Sequence, residues 1–463
     1  MSCIGFFLIQ LLGGITIKNS RCLPNIRIQP ILRSVSIPPL IGMILFGFLA
    51  RNFFGSVVEP FPTKWGAYVR GCTLSFLLVR GGMVLAFKGQ GIIVLLMSLV
   101  PSTIEALVIT AVAYLIFQMP LIVCLCMGFI LSAISPSVMV PGLMALSEKG
   151  YGKKKGIVSA LIASGTFEDI YCIILFSIGK RILFNQASQE VQEDTLNIIK
   201  DIFILILQLI AALIIGLTMG TAGIIFNKVE NTNTRLQLKA TWATFCAIAL
   251  VFISEEVGLP DAKYVASLFF GYGSFRVWGT DKPNKQLANI WFYLQPVFFG
   301  SVGATLLLSQ ISGNSIIKGI ICIVIGTAIR VVIVYFISGA PGKYEYKERL
   351  FMSLTWVPKA TVQAALAAVI LNQSKSMGLS DKYIEYGIIV QTTAIFSIIL
   401  CAPIGAILIS TFGPKYLENE NDLPETQERL FEMATKSSEE QLINFQSNEN
   451  LRELIKDKQQ LIK

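Results

Sequence analysis

GIVSALIASGTFEDIYCIILFSIG (residues 156–179) carries two adjacent carboxyls, Glu168 and Asp169, in the middle of an otherwise apolar run. A run this long reads as a membrane span, since about 20 apolar residues cross the roughly 30 Å of hydrocarbon in a bilayer. An ionised carboxylate at that depth costs about 3 kcal/mol even on the gentlest insertion scales. Two side by side therefore point to an ion or proton pathway, not to a chance substitution.

The rest of the chain has the same character. Of 463 residues, 54% are hydrophobic and 14% charged, far from the mixture of a soluble domain. The fold class is thus an all-α polytopic membrane protein with about thirteen transmembrane helices, near 3–17, 37–54, 66–86, 91–117, 119–147, 156–179, 201–227, 237–254, 262–275, 289–310, 317–338, 350–371 and 383–411. Loops that follow odd-numbered spans hold about twice the Lys and Arg of the others, among them Lys153, Lys154, Arg235, Lys239 and Lys347. Under the positive-inside rule this puts the N-terminus outside and the C-terminal tail in the cytoplasm.

Nine scattered cysteines show neither disulfide nor zinc spacing, Cys124 and Cys126 apart, and read as small buried hydrophobes. Histidine is absent, which removes the usual proton carrier near neutral pH, so carboxylates and lysine must handle protons. Residues 412–463 change character, with seven Lys or Arg against eleven Asp or Glu, and form an acidic, solvated tail. The chain as a whole carries a formal +9, so its membrane part is strongly basic. Anionic membrane lipid is the partner this implies, with no nucleic acid. Nothing resembles a nucleotide loop, a redox centre or a nucleophile triad, so the chain is not read as an enzyme and needs no cofactor.

Two spans are interrupted. SAISPSVMVPG (132–142) places Pro136 and Pro141 inside one, and TWVPKATVQAA (355–365) places Pro358, followed by Lys359, inside the other. Proline removes an amide donor and clashes with the carbonyl four residues earlier, which should release carbonyls near Ser132, Ala133 and Ile134. Such backbone survives at membrane depth only where protein or a water-filled cavity covers it. Glu105 lies 31 residues before Pro136 and Arg330 lies 28 before Pro358, so each half has an ionisable helix ahead of its break. This arrangement predicts inverted six-helix repeats with two crossing broken helices and a site at the midplane. The expected divisions are a transmembrane domain over 1–411, made of a first repeat (3–200), a linker helix (201–227) and a second repeat (237–411), followed by the tail (412–463).

With these motifs in hand the chain resembles a known family. IPPLIGMILFGFLARN (37–52), LVRGG (78–82), SPSVMVPGLMAL (135–146), GYGKKKGI (150–157), SGTFEDI (164–170), LQPVFFGSVGA (294–304), WVPKATVQAA (356–365) and APIGAILI (402–409) are similar, in order, to the cation/proton antiporters, most closely the sodium/proton exchanger-like (NHA, sodium/hydrogen exchanger 9B-type) subfamily. The resemblance implies a bacterial sodium/proton antiporter-like fold, a homodimer, and an acidic pair that alternately binds a small cation or protons. Asp169 matches the family's cation-binding aspartate. Residue 168 departs from the pattern, being glutamate where the family has aspartate or asparagine. Lys359 matches a lysine that neutralises the first carboxylate, so the resemblance implies a Glu168–Lys359 ion pair with Asp169 left for the ion.

The chemistry is consistent with that reading. Two carboxylates in low dielectric repel, and either a proton or a sodium ion relieves the repulsion. A hard monovalent cation at Asp169 prefers oxygen ligands, for which the Ile134 and Gly165 carbonyls and the Ser135 hydroxyl are candidates. Gly165 and Asp169 share a helix face. Glu105 with Arg330 reads as a structural ion pair. The expected function is secondary active exchange of sodium or lithium for protons at an alternating-access acidic site. The alternatives are proton-coupled transport of potassium or chloride, and a transport-inactive membrane scaffold in which the same charges form a structural network.

Overall fold

The computed structural model describes residues 39–53, 63–85, 91–188, 195–259, 262–310 and 312–419. The predicted span at 3–17 and nearly all of the acidic tail lie outside them. Helices α1 (Pro39–Phe53), α2 (Thr63–Gly82) and α3 (Gly91–Phe117) come first. An interrupted helix follows, formed by α4 (Leu121–Ser132) and α5 (Pro136–Glu148), and then α6 (Ile157–Ser188). Next come α7 (Thr195–Ala222), α8 (Thr232–Glu256), α9 (Ala262–Trp278), α10 (Asn284–Gly303) and α11 (Gly313–Gly339). The second interrupted helix is split twice, into α12 (Tyr346–Leu354), α13 (Thr361–Leu366) and α14 (Val369–Ser376), and α15 (Asp381–Tyr416) closes the order.

No strand occurs among the described residues, which suits a bilayer, where a helix satisfies its own backbone. Seven helical segments among them, with α4–α5 counted as one, are long and apolar enough to cross a membrane. Each predicted span from 37 onward falls on a helical stretch, but α1, α2, α9, α10 and α12–α14 are shorter, more polar or interrupted. Ends are built conventionally. The Asn231 side chain accepts from the amides of Asn233 and Thr234 at 3.0 and 3.2 Å to start α8, and Glu345 with Glu348 forms a capping box that starts α12.

Early helices pack against late ones. Helix α1 lies on α10, α2 lies on α9, and α3 lies on α11 at the centre. Both flanking contacts depend on glycine. A methyl on Gly47 would strike the Gly300 backbone, one on Gly303 the Ile44 carbonyl, and one on Gly271 the Val79 carbonyl. Small residues let membrane helices approach until their backbones touch, which is where packing attraction between such helices comes from. Helix α7 seats on α9 in the same way, through Gly216 and Gly220.

One basic residue is not where the loop count put it. Lys239 sits within α8, fully buried, with Nζ 2.9 Å from Asp281 Oδ2 and 5.4 Å from the Trp278 ring centroid. It is a pinned internal cation and not part of the surface charge bias. Lys155 in the loop after α5 bridges Glu345 and Glu348 at the start of α12 with Glu418 just past α15, at 3.4, 3.0 and 3.7 Å. Both broken helices are therefore tied to the start of the tail at one end of the molecule.

Candidate ion-binding site

The first break begins where α4 ends at Ser132. Ala133 turns to extended backbone (φ −63°, ψ 138°), Ser135 stays extended (φ −111°, ψ 101°), and Pro136 opens α5 at the one helical position that lacks nothing without an amide. Four carbonyls at the end of α4 lose their helical partners and all are satisfied by side chains from the second half. Gln363 Nε2 donates to Ile130 O at 2.9 Å and to Ala133 O at 2.7 Å. Lys359 Nζ donates to Leu131 O at 2.6 Å, and Arg330 Nη1 donates to Ser132 O. Two cations thus meet the negative end of a half-helix dipole.

The crossing itself is a backbone contact. The Ser135 amide donates to the Pro358 carbonyl at 3.0 Å, joining the unwound stretch of one broken helix to that of the other. Glycines bring the neighbours in. A methyl on Gly128 would collide with the Ala106 backbone, one on Gly326 would stand 3.4 Å from Glu105 Cγ and closer still to Ile109, and one on Gly165 would lie 2.7 Å from Met139 Cε and 3.2 Å from Ile134 Cγ2. Without a side chain at 165, α6 presses directly on the first break.

Five buried ionisable groups converge there. Arg330 spans two carboxylates, with Nη1 on Glu105 Oε2 and Nη2 on Glu168 Oε1. Lys359 Nζ donates to Glu105 Oε1 at 2.7 Å. Trp356 Nε1 donates to Glu168 Oε2 at 2.7 Å. Every carboxylate oxygen of Glu105 and Glu168 accordingly accepts a donor. Asp169, 1% exposed, differs, because its buried Oδ1 has no hydrogen-bond partner.

Of the pairings expected from the sequence, Glu105 with Arg330 is present and Glu168 with Lys359 is not. Lys359 neutralises Glu105, not Glu168, and Arg330 is not confined to Glu105 but also holds Glu168. The reason is shape. A guanidinium presents separate N–H groups in a rigid fork and can serve two carboxylates and a carbonyl together, whereas the lysine ammonium is a point donor suited to a single carboxylate beside a helix end. The longer glutamate at 168 has the reach to join Arg330.

The remaining candidates are placed as follows. Pro136 and Pro358 stand at the two breaks, and Pro141 is absorbed inside α5. The Ser135 hydroxyl lies 3.0 Å from that of Ser137. Among the described residues no hydrogen bond reaches the Ile134 carbonyl. Gly165 lies in the unbroken α6, whose ladder engages its carbonyl, so its visible contribution is the close approach to Ile134 and Met139. Sequence reasoning missed Gln363 and Trp356. Their signal was slight: two polar-tipped side chains, five residues after and two before Pro358, in a stretch otherwise read for its proline and lysine.

Three carboxyl groups thus face one guanidinium and one lysine amine, all buried, and the oxygen without a donor belongs to Asp169.

Comparison with known proteins identifies the family. The family model "Sodium/hydrogen exchanger, transmembrane" matches residues 26–410. Sodium/hydrogen exchanger 9B2 of Bison bison bison is 32% identical over 391 residues, covering 82% of this chain and 70% of that protein. The Homo sapiens 9B2 protein is 31% identical, with 84% and 72% covered, and the Macaca fascicularis 9B1 protein 29%, with 83% and 74%. Among solved structures, the sodium proton antiporter MjNhaP1 from Methanocaldococcus jannaschii superposes with a TM-score of 0.65 at 17% identity, covering 90% of this chain and 99% of that one. At that identity the likeness speaks for the fold.

Proposed function

Because this chain belongs to the sodium/hydrogen exchanger family, we propose that it exchanges sodium or lithium for protons across its membrane, with Asp169 as the group that binds one or the other. The observation that carries the assignment is the contrast within the buried cluster. Glu105 and Glu168 have donors on all their oxygens, while Asp169 Oδ1 has none. Ser135 and the Ile134 carbonyl are the additional oxygen donors for a bound cation, and Gly165 keeps α6 close enough for them to serve. Competition of a cation and a proton for one site, combined with a motion that changes which side it opens to, is antiport.

The transported ions are substrates, and the reading calls for no cofactor and no covalent chemistry. The division into a first repeat (3–200), a linker helix (201–227) and an inverted second repeat (237–411) is supported by the matched glycine contacts of α1 on α10 and α2 on α9. The Lys and Arg bias of the loops supports a cytoplasmic C-terminus, and the subfamily resemblance supports a homodimer.

Purified protein in liposomes containing a pH-sensitive dye tests the function. An imposed sodium or lithium gradient should drive proton movement, and Asp169→Asn should abolish it. Full flux from Asp169→Asn, or proton movement driven by potassium or chloride but by neither sodium nor lithium, overturns the assignment.

A further inference from the structure

From the hydrogen bond that joins Gln391 to Thr305 we infer a latch: it closes the molecule on the side opposite the tail, and it must open once in each exchange cycle for Asp169 to be reached from that side. It rests on the function proposed above and goes further, to the residues that set which side the site faces.

The helices fall into two packed groups. One, α3 to α6 with α11 to α15, carries every member of the buried charge cluster, and the other is α1, α2 and α7 to α10. They meet where α2 and α10 touch α13 and where α2, α7 and α9 touch α6. A site that opens to each side in turn requires one group to move against the other. A polar bond that crosses between them therefore opposes the motion.

Gln391 makes such a bond. It lies on α15, 3% exposed, and its Nε2 donates at 2.9 Å to the Thr305 carbonyl just past the end of α10. Both anchors are fixed within their own group. On α15, a methyl on Gly387 would strike the Leu371 backbone of α14, Thr393 packs on Gly319 of α11, and Gly405 packs on Pro358 at the crossing. In the other group, Asn52 of α1 donates to the Leu306 carbonyl at 3.0 Å and accepts from the Leu308 amide at 2.8 Å, which fastens the stretch after α10. A hydrogen bond between two such anchors does not stretch with a relative movement of the groups but breaks.

Its level makes it a latch and not a pivot. Gln391 lies fourteen residues, about 20 Å of helix, before Gly405, toward the end of α15 remote from Leu417 and the tail. At the level of the site the groups touch through Gly81 of α2 and Thr166, one turn before Asp169, and the glycine has no side chain to interlock. Rocking about that level moves the ends most, and Gln391 stands at one end. Arg181 Nη2, 2.7 Å from Gln208 Oε1, also crosses, between α6 and α7, which follow one another in the chain.

Gln391→Leu keeps the bulk and removes the donor. The half-saturating sodium concentration for exchange, measured by dye in vesicles of each orientation, gives the readout. On the side opposite the tail it should fall about two- to tenfold relative to the tail side, the equilibrium worth of one neutral hydrogen bond lost from the closed state. A ratio between the two sides that is unchanged or raised overturns the inference. The pair Gln391→Cys/Thr305→Cys, joined by a short bifunctional thiol reagent that reduction cleaves, tests the opening itself. Joining should stop exchange and reduction should restore it, while the same reagent leaves the wild type and each single cysteine variant exchanging. Exchange that continues in the joined pair reveals a static tie and overturns the latch, as does failure to join two thiols that each react alone. Should Gln391→Leu fail to fold, the cysteine pair decides. Absence of any sodium- or lithium-driven flux in the wild type is a different result, which removes the exchange function itself.

Discussion

The amide of Ser135 and the carbonyl of Pro358 meet at 3.0 Å, so the two broken helices are joined through their main chains, not only through their side chains. Each break supplies what the other lacks. The first leaves carbonyls without donors, and the second half brings Gln363, Lys359 and Arg330 to them.

Gln363 should therefore be structural to a degree its modest chemistry conceals. Gln363→Ala leaves the Ile130 and Ala133 carbonyls buried without a donor, at about 1–3 kcal/mol for each group. The thermal midpoint in detergent should fall clearly, and Gln363→Glu, which retains the size but brings an acceptor to acceptors, should fall further. An unchanged midpoint in Gln363→Ala would show that water or a neighbour replaces the amide.

Arg330 is the shared partner of two carboxylates, and its loss strands both. Arg330→Gln should cost about 3–5 kcal/mol, the usual result of breaking a buried pair. Arg330→Gln/Glu168→Gln, with one stranded charge removed, should be more stable than Arg330→Gln alone. Simple additivity of the two single variants would argue that Glu168 is not coupled to Arg330.

Backbone contact between helices predicts which glycines are intolerant. Gly271→Ala would drive a methyl into the Val79 carbonyl and should cost about 1–3 kcal/mol as overpacking. Gly313→Ala, where a methyl meets no neighbouring atom within 4 Å, should leave the midpoint where it is. Equal midpoints for the two variants would contradict the packing described here.

Outside the membrane, Asp281 gives a pH signature. The hydrogen bond from Lys239 Nζ at 2.9 Å, and after it that from Arg235 Nε at 2.7 Å, hold its carboxyl below the ordinary carboxylate range. A group lowered on folding contributes stability above its unfolded value of about 4 and loses it as the pH falls through the folded value. With its side chain 35% exposed, solvent screens the contribution, so the effect should be small. Midpoints of wild type and Asp281→Asn should differ near neutral pH and converge at acid pH. A constant gap down to about pH 3 would count against this linkage.

The local chemistry of the site was legible in the sequence. Proline at 136 and 358 dictates broken helices wherever the chain runs, because a missing amide and a ring clash act within one turn. An acidic pair in an apolar run marks a candidate site, because ionising it there is costly whatever surrounds it. The pairing of charges had no such local cause. Glu105, Glu168, Arg330 and Lys359 come from three helices and an unwound stretch, and their partners depend on how near Gly128, Gly165 and Gly326 let those elements approach, and on which side chain has a fork and which a single ammonium. Sequence spacing contains neither. The donors of Gln363 and Trp356 belong to the same class, since an amide and an indole acquire meaning only from the acceptor they face. So the sequence by itself determined the breaks, the buried carboxylates and the family. Tertiary structure decided that Glu168 is held by Arg330 and Trp356 while Asp169 keeps an oxygen without a partner, because only packing brings the donors of one half to the acceptors of the other.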